Sequence, residues 1–138
     1  MRNPAGQDVR VAVVAFGGNA LIKSGEKGTM AEQLANAQQA ASVLLKIIKA
    51  GYELILVHGN GPQVGLSLIR AASAAAVVPS VPLDVCVSET QGSMGFLLET
   101  AISNRLRLES VDKPVVTVLT RVVVDKEDAH VRKGIFMI

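Results

Sequence analysis

Two short stretches carry residue types suited to holding an anion. One is His58-Gly59-Asn60-Gly61-Pro62-Gln63-Val64-Gly65, directly after the apolar run Glu53-Leu54-Ile55-Leu56-Val57. The other is Gly17-Gly18-Asn19-Ala20, directly after Val9-Arg10-Val11-Ala12-Val13-Val14-Ala15-Phe16. In each, a strand-like run stops at glycine beside asparagine. Pro62 suits the start of a helix, where its fixed φ fits and its missing N–H would have no intrahelical partner. Gly59 and Gly61 permit backbone angles and close approaches that a Cβ would forbid. Unpaired N–H groups at a helix start, with the helix dipole behind them, attract anions and phosphate above all.

The elements that must position these turns follow from the pattern around them. Thr29 and Glu32 have the spacing of a capping box. Leu34, Ala37, Ala41, Leu44, Leu45 and Ile48 recur at three- and four-residue steps, which predicts a helix over roughly 30–50. Gly51 is placed to end it, and the next strand, 53–57, begins at once. Strand, helix, strand in this order is a βαβ unit with a right-handed crossover. Both glycine turns then leave the same end of a parallel sheet, where open α/β sheets place their ligands.

Further along, Leu66 to Val78 continues as an Ala-rich helix that stops before Pro79, and 79–84 reads as a turn-rich connector. Ser88 with Gln91 is a second capping-box candidate. The helix it would open has Met94, Leu97, Leu98, Ala101 and Ile102 on its apolar face. Val115–Thr120 reads as a third strand, and Val122-Val123-Val124 extends it or begins an edge strand. Residues 125–133 are charged, and 134–138 are apolar apart from Gly134. Three strands are few for a doubly wound sheet, and an apolar end is unusual for a finished domain. The expectation is a piece of a larger α/β fold.

Composition excludes several classes of function. With 49% hydrophobic and 19% charged residues the chain is globular. At 138 residues it is most simply one domain. A net charge of +2 without a Lys/Arg cluster gives no reason to expect a nucleic acid or membrane partner. A single cysteine, Cys86, excludes an internal disulfide framework and reads as a small buried apolar group. No run approaches the ~20 apolar residues needed to span a bilayer, so a soluble, cytoplasmic protein is the expectation.

Other motifs are missing. The sequence has no Gly-x-x-x-x-Gly-Lys-[Ser/Thr] P-loop, and Gly59, Gly61 and Gly65 miss the Gly-x-Gly-x-x-Gly dinucleotide spacing. That spacing argues against a dinucleotide-binding oxidoreductase. His58 is open to two readings, a general base or a hydrogen-bonded structural group at a strand end. Ser88, Glu89 and Gln91 read as a helix start that either only caps or also faces the ligand. Lys23 and Lys27 either reach a phosphate from their loop or are solvated. Arg121 either pairs with an anion or sits at the surface, and His130 reads as a surface residue. No Ser/His/Asp order or carboxylate pair stands out. That fits phosphoryl transfer, in which the protein mainly positions groups and stabilises charge.

At these residues the chain resembles carbamate kinase, in the amino acid kinase family. The matching blocks are Ala15-Phe16-Gly17-Gly18-Asn19-Ala20-Leu21, His58–Leu66, Pro82-Leu83-Asp84, Ser88–Phe96 and Val116–Asp125. They lie in order over about residues 9–128. The resemblance covers the N-terminal half of such an enzyme. It implies a three-layer αβα sandwich with a mainly parallel sheet, and reversible transfer of a phosphoryl group between ATP and carbamate. That reaction yields ADP and carbamoyl phosphate, and in arginine fermentation it often runs towards ATP. By resemblance, Gly17, Gly18, Asn19, Gly59, Asn60 and Gly61 hold the phosphoryl group and carbamate. Gln63, Gln91 and Arg121 are further candidates. ATP or ADP with Mg²⁺ is implied in the same way, as is a homodimer or a pairing of this half with a full-length subunit, and no residue is assigned to a metal.

Two departures qualify that picture. Where many amino acid kinases carry a lysine before the first glycine turn, this chain reads Val14-Ala15-Phe16, as carbamate kinases do. Where carbamate kinases place a Pro-Thr-Lys-Pro-like segment, it reads Asp128-Ala129-His130-Val131-Arg132-Lys133-Gly134. Residues 1–138 are thus expected to be one incomplete amino acid kinase domain with an off-pattern tail over 126–138. Two functional readings follow: a carbamate kinase-like phosphotransferase, and a truncated, non-catalytic fragment or interaction domain without the nucleotide-binding half.

Overall fold

The computed structural model describes residues 8–17, 20–123, 125 and 127. Strand β1 (Arg10–Phe16) is followed by α1 (Met30–Lys49), β2 (Tyr52–His58), α2 (Gly61–Ala74) and α3 (Leu83–Leu108). β1 and β2 pair in parallel, with Arg10 opposite Tyr52 and Phe16 opposite His58. The expected βαβ unit is therefore present. The chain divides into two compact units, one of residues up to Gly59 with Phe96–Val116, the other of Asn60–Gly95 with residues from Thr117 on.

In the first unit α1 packs on β2. Its sequence fixes both ends. The Thr29 hydroxyl accepts from the Glu32 N–H while the Glu32 carboxylate accepts from the Thr29 N–H, so the predicted capping box is formed. Gly51 follows the helix at φ +85°, a left-handed conformation that a side chain would resist. Ala37, Ala41, Leu44, Leu45 and Ile48 are buried along α1, as the spacing required, whereas Leu34, the first residue of the expected stripe, lies in the first turns of the helix and is exposed. Leu97, Leu98, Ala101, Ile102 and Leu106 of α3 are buried too. Each buried leucine or isoleucine contributes about 1.5–3 kcal/mol relative to exposure. Lys49 pairs with Glu109 at 2.7 Å, and Lys113 pairs with Glu53.

The second unit corrects three expectations. First, α3 begins at Leu83, not near Ser88, and 83–84 are helical instead of connector. Pro82 sits before the first turn, its carbonyl accepts from the Cys86 N–H at 3.1 Å, and Asp84 meets the positive end of the dipole. Ser88 is therefore inside the helix, where its hydroxyl donates back to the Val85 carbonyl at 2.9 Å. The Ser88–Gln91 capping box does not exist.

Second, Val115–Thr120 is no strand, and Val122 and Val123 neither extend it nor start one, while Val124 lies outside the described residues; among the described residues the sheet has two strands, β1 and β2. A run of β-branched residues favours an extended segment, but a strand also requires a ladder partner. Instead one residue of the run is paired by a side chain. The Thr120 N–H donates to Gln91 Oε1 at 2.9 Å, and Gln91 Nε2 donates to the Thr120 carbonyl at 3.2 Å. One helical turn away, Gly95 leaves room for Thr117, whose Cγ2 would lie 2.2 Å from a Cβ on residue 95. Third, α2 ends at Ala74, four residues short of Val78. The expected tail over 126–138 lies, Glu127 apart, outside the described residues.

Candidate functional site

The parallel register brings the roots of both glycine turns to one end of one sheet. Phe16 and His58 are partners in the ladder, and the Gly59 N–H donates to the Phe16 carbonyl at 3.3 Å. The first turn closes with the Ala20 N–H donating to the Gly17 carbonyl at 2.9 Å. A Cβ on Gly17 would meet nothing within 4 Å. Gly18 and Asn19, the other candidates of this turn, lie outside the described residues.

The loop from Leu21 to Thr29 is held by side chains of α1. Asn36 is buried, and its amide donates to the Leu21 carbonyl at 3.1 Å and to Glu26 at 2.8 Å. Lys23 Nζ donates to Gln39 at 2.8 Å, and Glu26 also accepts from the Lys23 N–H. The exposed Lys23 ammonium is thus hydrogen-bonded to a neighbouring amide.

The second turn opens α2. Asn60 is the residue before the helix, yet its side chain makes no capping bond with the described residues. Its amide donates instead to α3, at 3.2 Å to the Val87 carbonyl and 2.9 Å to the Thr90 hydroxyl. Thr90 is buried and donates onward to the Cys86 or Val87 carbonyl. The start of α2 is therefore anchored through Asn60 without its side chain occupying the helix N–H groups. A Cβ on Gly61 would meet nothing within 4 Å, and Gly61 is not at positive φ. The backbone thus has no conformational need for glycine there, contrary to expectation; what its lack of a side chain provides is open space above the turn. Pro62 falls one position later than expected, since α2 already begins at Gly61.

Of the remaining candidates, Gln63 is buried in the first turn of α2. Gln91 clips Thr120 through both ends of its amide, and Arg121 is exposed in the extended run that follows. Buried His58 Nδ1 has no hydrogen-bond partner among the described residues. Cys86 is fully buried, as read from sequence. Thr90 is a residue that the helix-start reading of Ser88, Glu89 and Gln91 does not single out; a threonine seven residues into a helix is the signal that could have found it. Among the described residues no three His, Cys, Asp or Glu side chains gather to hold a metal. No helix among them is long and apolar enough to cross a membrane.

No protein-family model matches the chain. It is 47% identical over 117 residues to carbamate kinase 1 of Enterococcus faecium, covering 84% of this chain and 37% of that one. To the carbamate kinase of Trichomonas vaginalis it is 46% identical over 117 residues, with 84% and 37% covered. The carbamate kinase-like protein YahI of Escherichia coli is 42% identical over 130 residues, with 91% and 41% covered. Among solved structures, carbamate kinase from Giardia lamblia bound to AMP-PNP superposes with a TM-score of 0.87 at 38% identity, over 91% of this chain and 40% of that chain. A crystal structure from Aeropyrum pernix matches at 0.84 and 31% identity, over 90% and 40%. The chain thus spans about two fifths of the length of these relatives. Sequence and backbone agree over the same stretch, which carries part of an αβα amino acid kinase fold.

Proposed function

We propose that this chain, a carbamate kinase fragment by sequence and fold, is the acceptor-binding part of a carbamate kinase-like phosphotransferase. The reaction is reversible transfer of a phosphoryl group from ATP to carbamate, giving ADP and carbamoyl phosphate. The observation that carries the reading is the start of α2. It follows a glycine turn at the end of a parallel strand, is not capped by the side chain of Asn60, and has open space at Gly61. Such a turn supplies donors and a favourable dipole to a phosphate or carboxylate-like oxygen. Asn60 keeps the turn in place from α3, so its part is positioning. Gly17, Gly18 and Asn19 supply the other turn by resemblance. Mg²⁺ bound with the nucleotide would neutralise phosphate charge, and no residue of this chain is assigned to hold it.

The test is calorimetric titration of carbamoyl phosphate into the folded chain, alongside Gly61→Val and Asn19→Ala. Binding by the wild type and its loss in both variants is the expected result. Unchanged binding in the variants would refute the assignment. ATP formation from carbamoyl phosphate, ADP and Mg²⁺ separates this from the second reading, a non-catalytic binding fragment. The chain's span of about two fifths of its relatives favours that second reading for these residues alone. A chain that binds without turnover supports it, because the electrostatic stabilisation that dominates such chemistry requires further cationic groups on the phosphoryl.

A further inference from the structure

Val87, Gln91 and Gly95 of α3 each hold another part of the second unit. Their four-residue spacing puts them on one stripe of the helix, about 6 Å from one to the next. The Val87 carbonyl accepts from the Asn60 amide that anchors the start of α2. Gln91 clips Thr120, its Oε1 accepting from the Thr120 N–H at 2.9 Å and its Nε2 donating to the Thr120 carbonyl at 3.2 Å. At Gly95 the Thr117 methyl occupies the place of a side chain, 2.2 Å from the Cβ position. Both ends of the Gln91 amide are engaged by backbone, so its part is positioning. The pairs Gly95–Thr117 and Gln91–Thr120 also fix a direction. The 117–120 segment runs antiparallel to α3, towards the level of Val87 and the start of α2. An extended chain advances about 3.3 Å per residue, so Arg121 stands about half-way from the level of Gln91 to that of Val87.

We propose that Gln91 is a positioning residue that presents the Arg121 guanidinium to the anion at the start of α2, as a cation supplied by this chain. The proposal rests on the acceptor-site reading above. Two observations single out Arg121. It is exposed and has no hydrogen bond or ion pair with the described residues, whereas Lys49, Arg105 and Lys113 are held by carboxylates. It also directly follows the residue that Gln91 holds by both backbone groups, where the chain has least slack. The N–H groups of a helix start orient a phosphate oxygen but bring only partial charge. A guanidinium adds a full charge and donates in parallel to two oxygens of one phosphate. Gly95 serves the same end. A side chain there would push Thr117 away from α3 and lift Thr120 off the Gln91 amide.

Calorimetric titration of carbamoyl phosphate into the 138-residue chain and its variants, each confirmed folded by circular dichroism, tests the proposal. Arg121→Gln, a change at an exposed position, should weaken binding about tenfold to a hundredfold, the usual worth of a hydrogen bond between charged groups. Arg121→Lys keeps the charge but not the parallel donors and should weaken it less. Added salt should lower the affinity of the wild type more than that of Arg121→Gln, because screening acts on the charge pair. Gln91→Ala and Gly95→Ala should each weaken binding, and neither should weaken it further in the Arg121→Gln background. A merely structural role would weaken it by the same factor in both backgrounds. Wild-type affinity in Arg121→Gln, an equal salt response, or an undiminished effect of Gln91→Ala in the Arg121→Gln background would overturn the proposal and leave the acceptor site standing. No binding by the wild type, or full binding by Gly61→Val, would instead bring down the acceptor site, and this proposal with it.

Discussion

The starts of α1 and α2 solve the same physical problem in opposite ways. Both follow glycine-containing segments after a strand, and both leave N–H groups without intrahelical partners. At α1 the chain closes its own end, with Thr29 and Glu32 satisfying each other's backbone. At α2 the residue in the capping position turns its amide towards α3 and does not cap the helix. A sealed end stabilises its own helix, whereas an end anchored from elsewhere can keep its donors for a ligand. The difference separates a structural turn from a candidate binding turn, although both are polar, glycine-rich and next to a strand.

The comparison breaks most readily at Asn60. Asn60→Ala removes two hydrogen bonds to α3 and leaves the Thr90 hydroxyl and Val87 carbonyl with one partner fewer. The expected loss is about 1–3 kcal/mol of stability, read by urea denaturation, together with weaker carbamoyl phosphate binding. A variant with wild-type stability and wild-type binding would show that the anchor does nothing. Thr29→Ala should lower stability by about 1 kcal/mol, the usual cost of losing such a cap. It should leave ligand binding untouched, and a change in affinity in calorimetry would erase the distinction between the two ends.

Acid provides the smallest and sharpest test. Hydrogen bonds from the Thr29 backbone and then its side chain hold the Glu32 carboxyl below the ordinary value of 4.5. A depressed carboxylate contributes stability above its unfolded pKa and loses it as pH falls through the folded one. The stabilisation of α1 by its capping box should thus be complete above about pH 4.5 and decline below it. Glu32→Gln should remove that part of the pH dependence, measured as the shift in the urea midpoint between neutral and acid solution. Glu109, held low first by its hydrogen bond to Lys49, titrates in the same direction and must be kept constant in the comparison.

Much of this protein was legible in the residues themselves because the relevant physics is local. Thr29 and Glu32 are three residues apart, Gly51 answers to its own φ, and the apolar stripe of α1 is set by helical geometry. The ordering of β1, α1 and β2 follows from periodicity, and the parallel pairing from the length of the crossover. The glycine–asparagine turns were likewise visible as strand ends. Tertiary structure decided whatever depends on a partner distant in sequence. Val115–Thr120 has strand chemistry, yet Thr120 is held by Gln91, twenty-nine residues away in sequence. Ser88 has the makings of a cap, but a helix already begun at Leu83 runs through it. Asn60 could have capped α2 or faced a ligand with its amide; Thr90, thirty residues on, holds that amide instead. Sequence determines which conformation each short segment prefers, since that preference lies within the segment. Which donors remain for a ligand is settled only when the chain has folded and remote groups have taken their share.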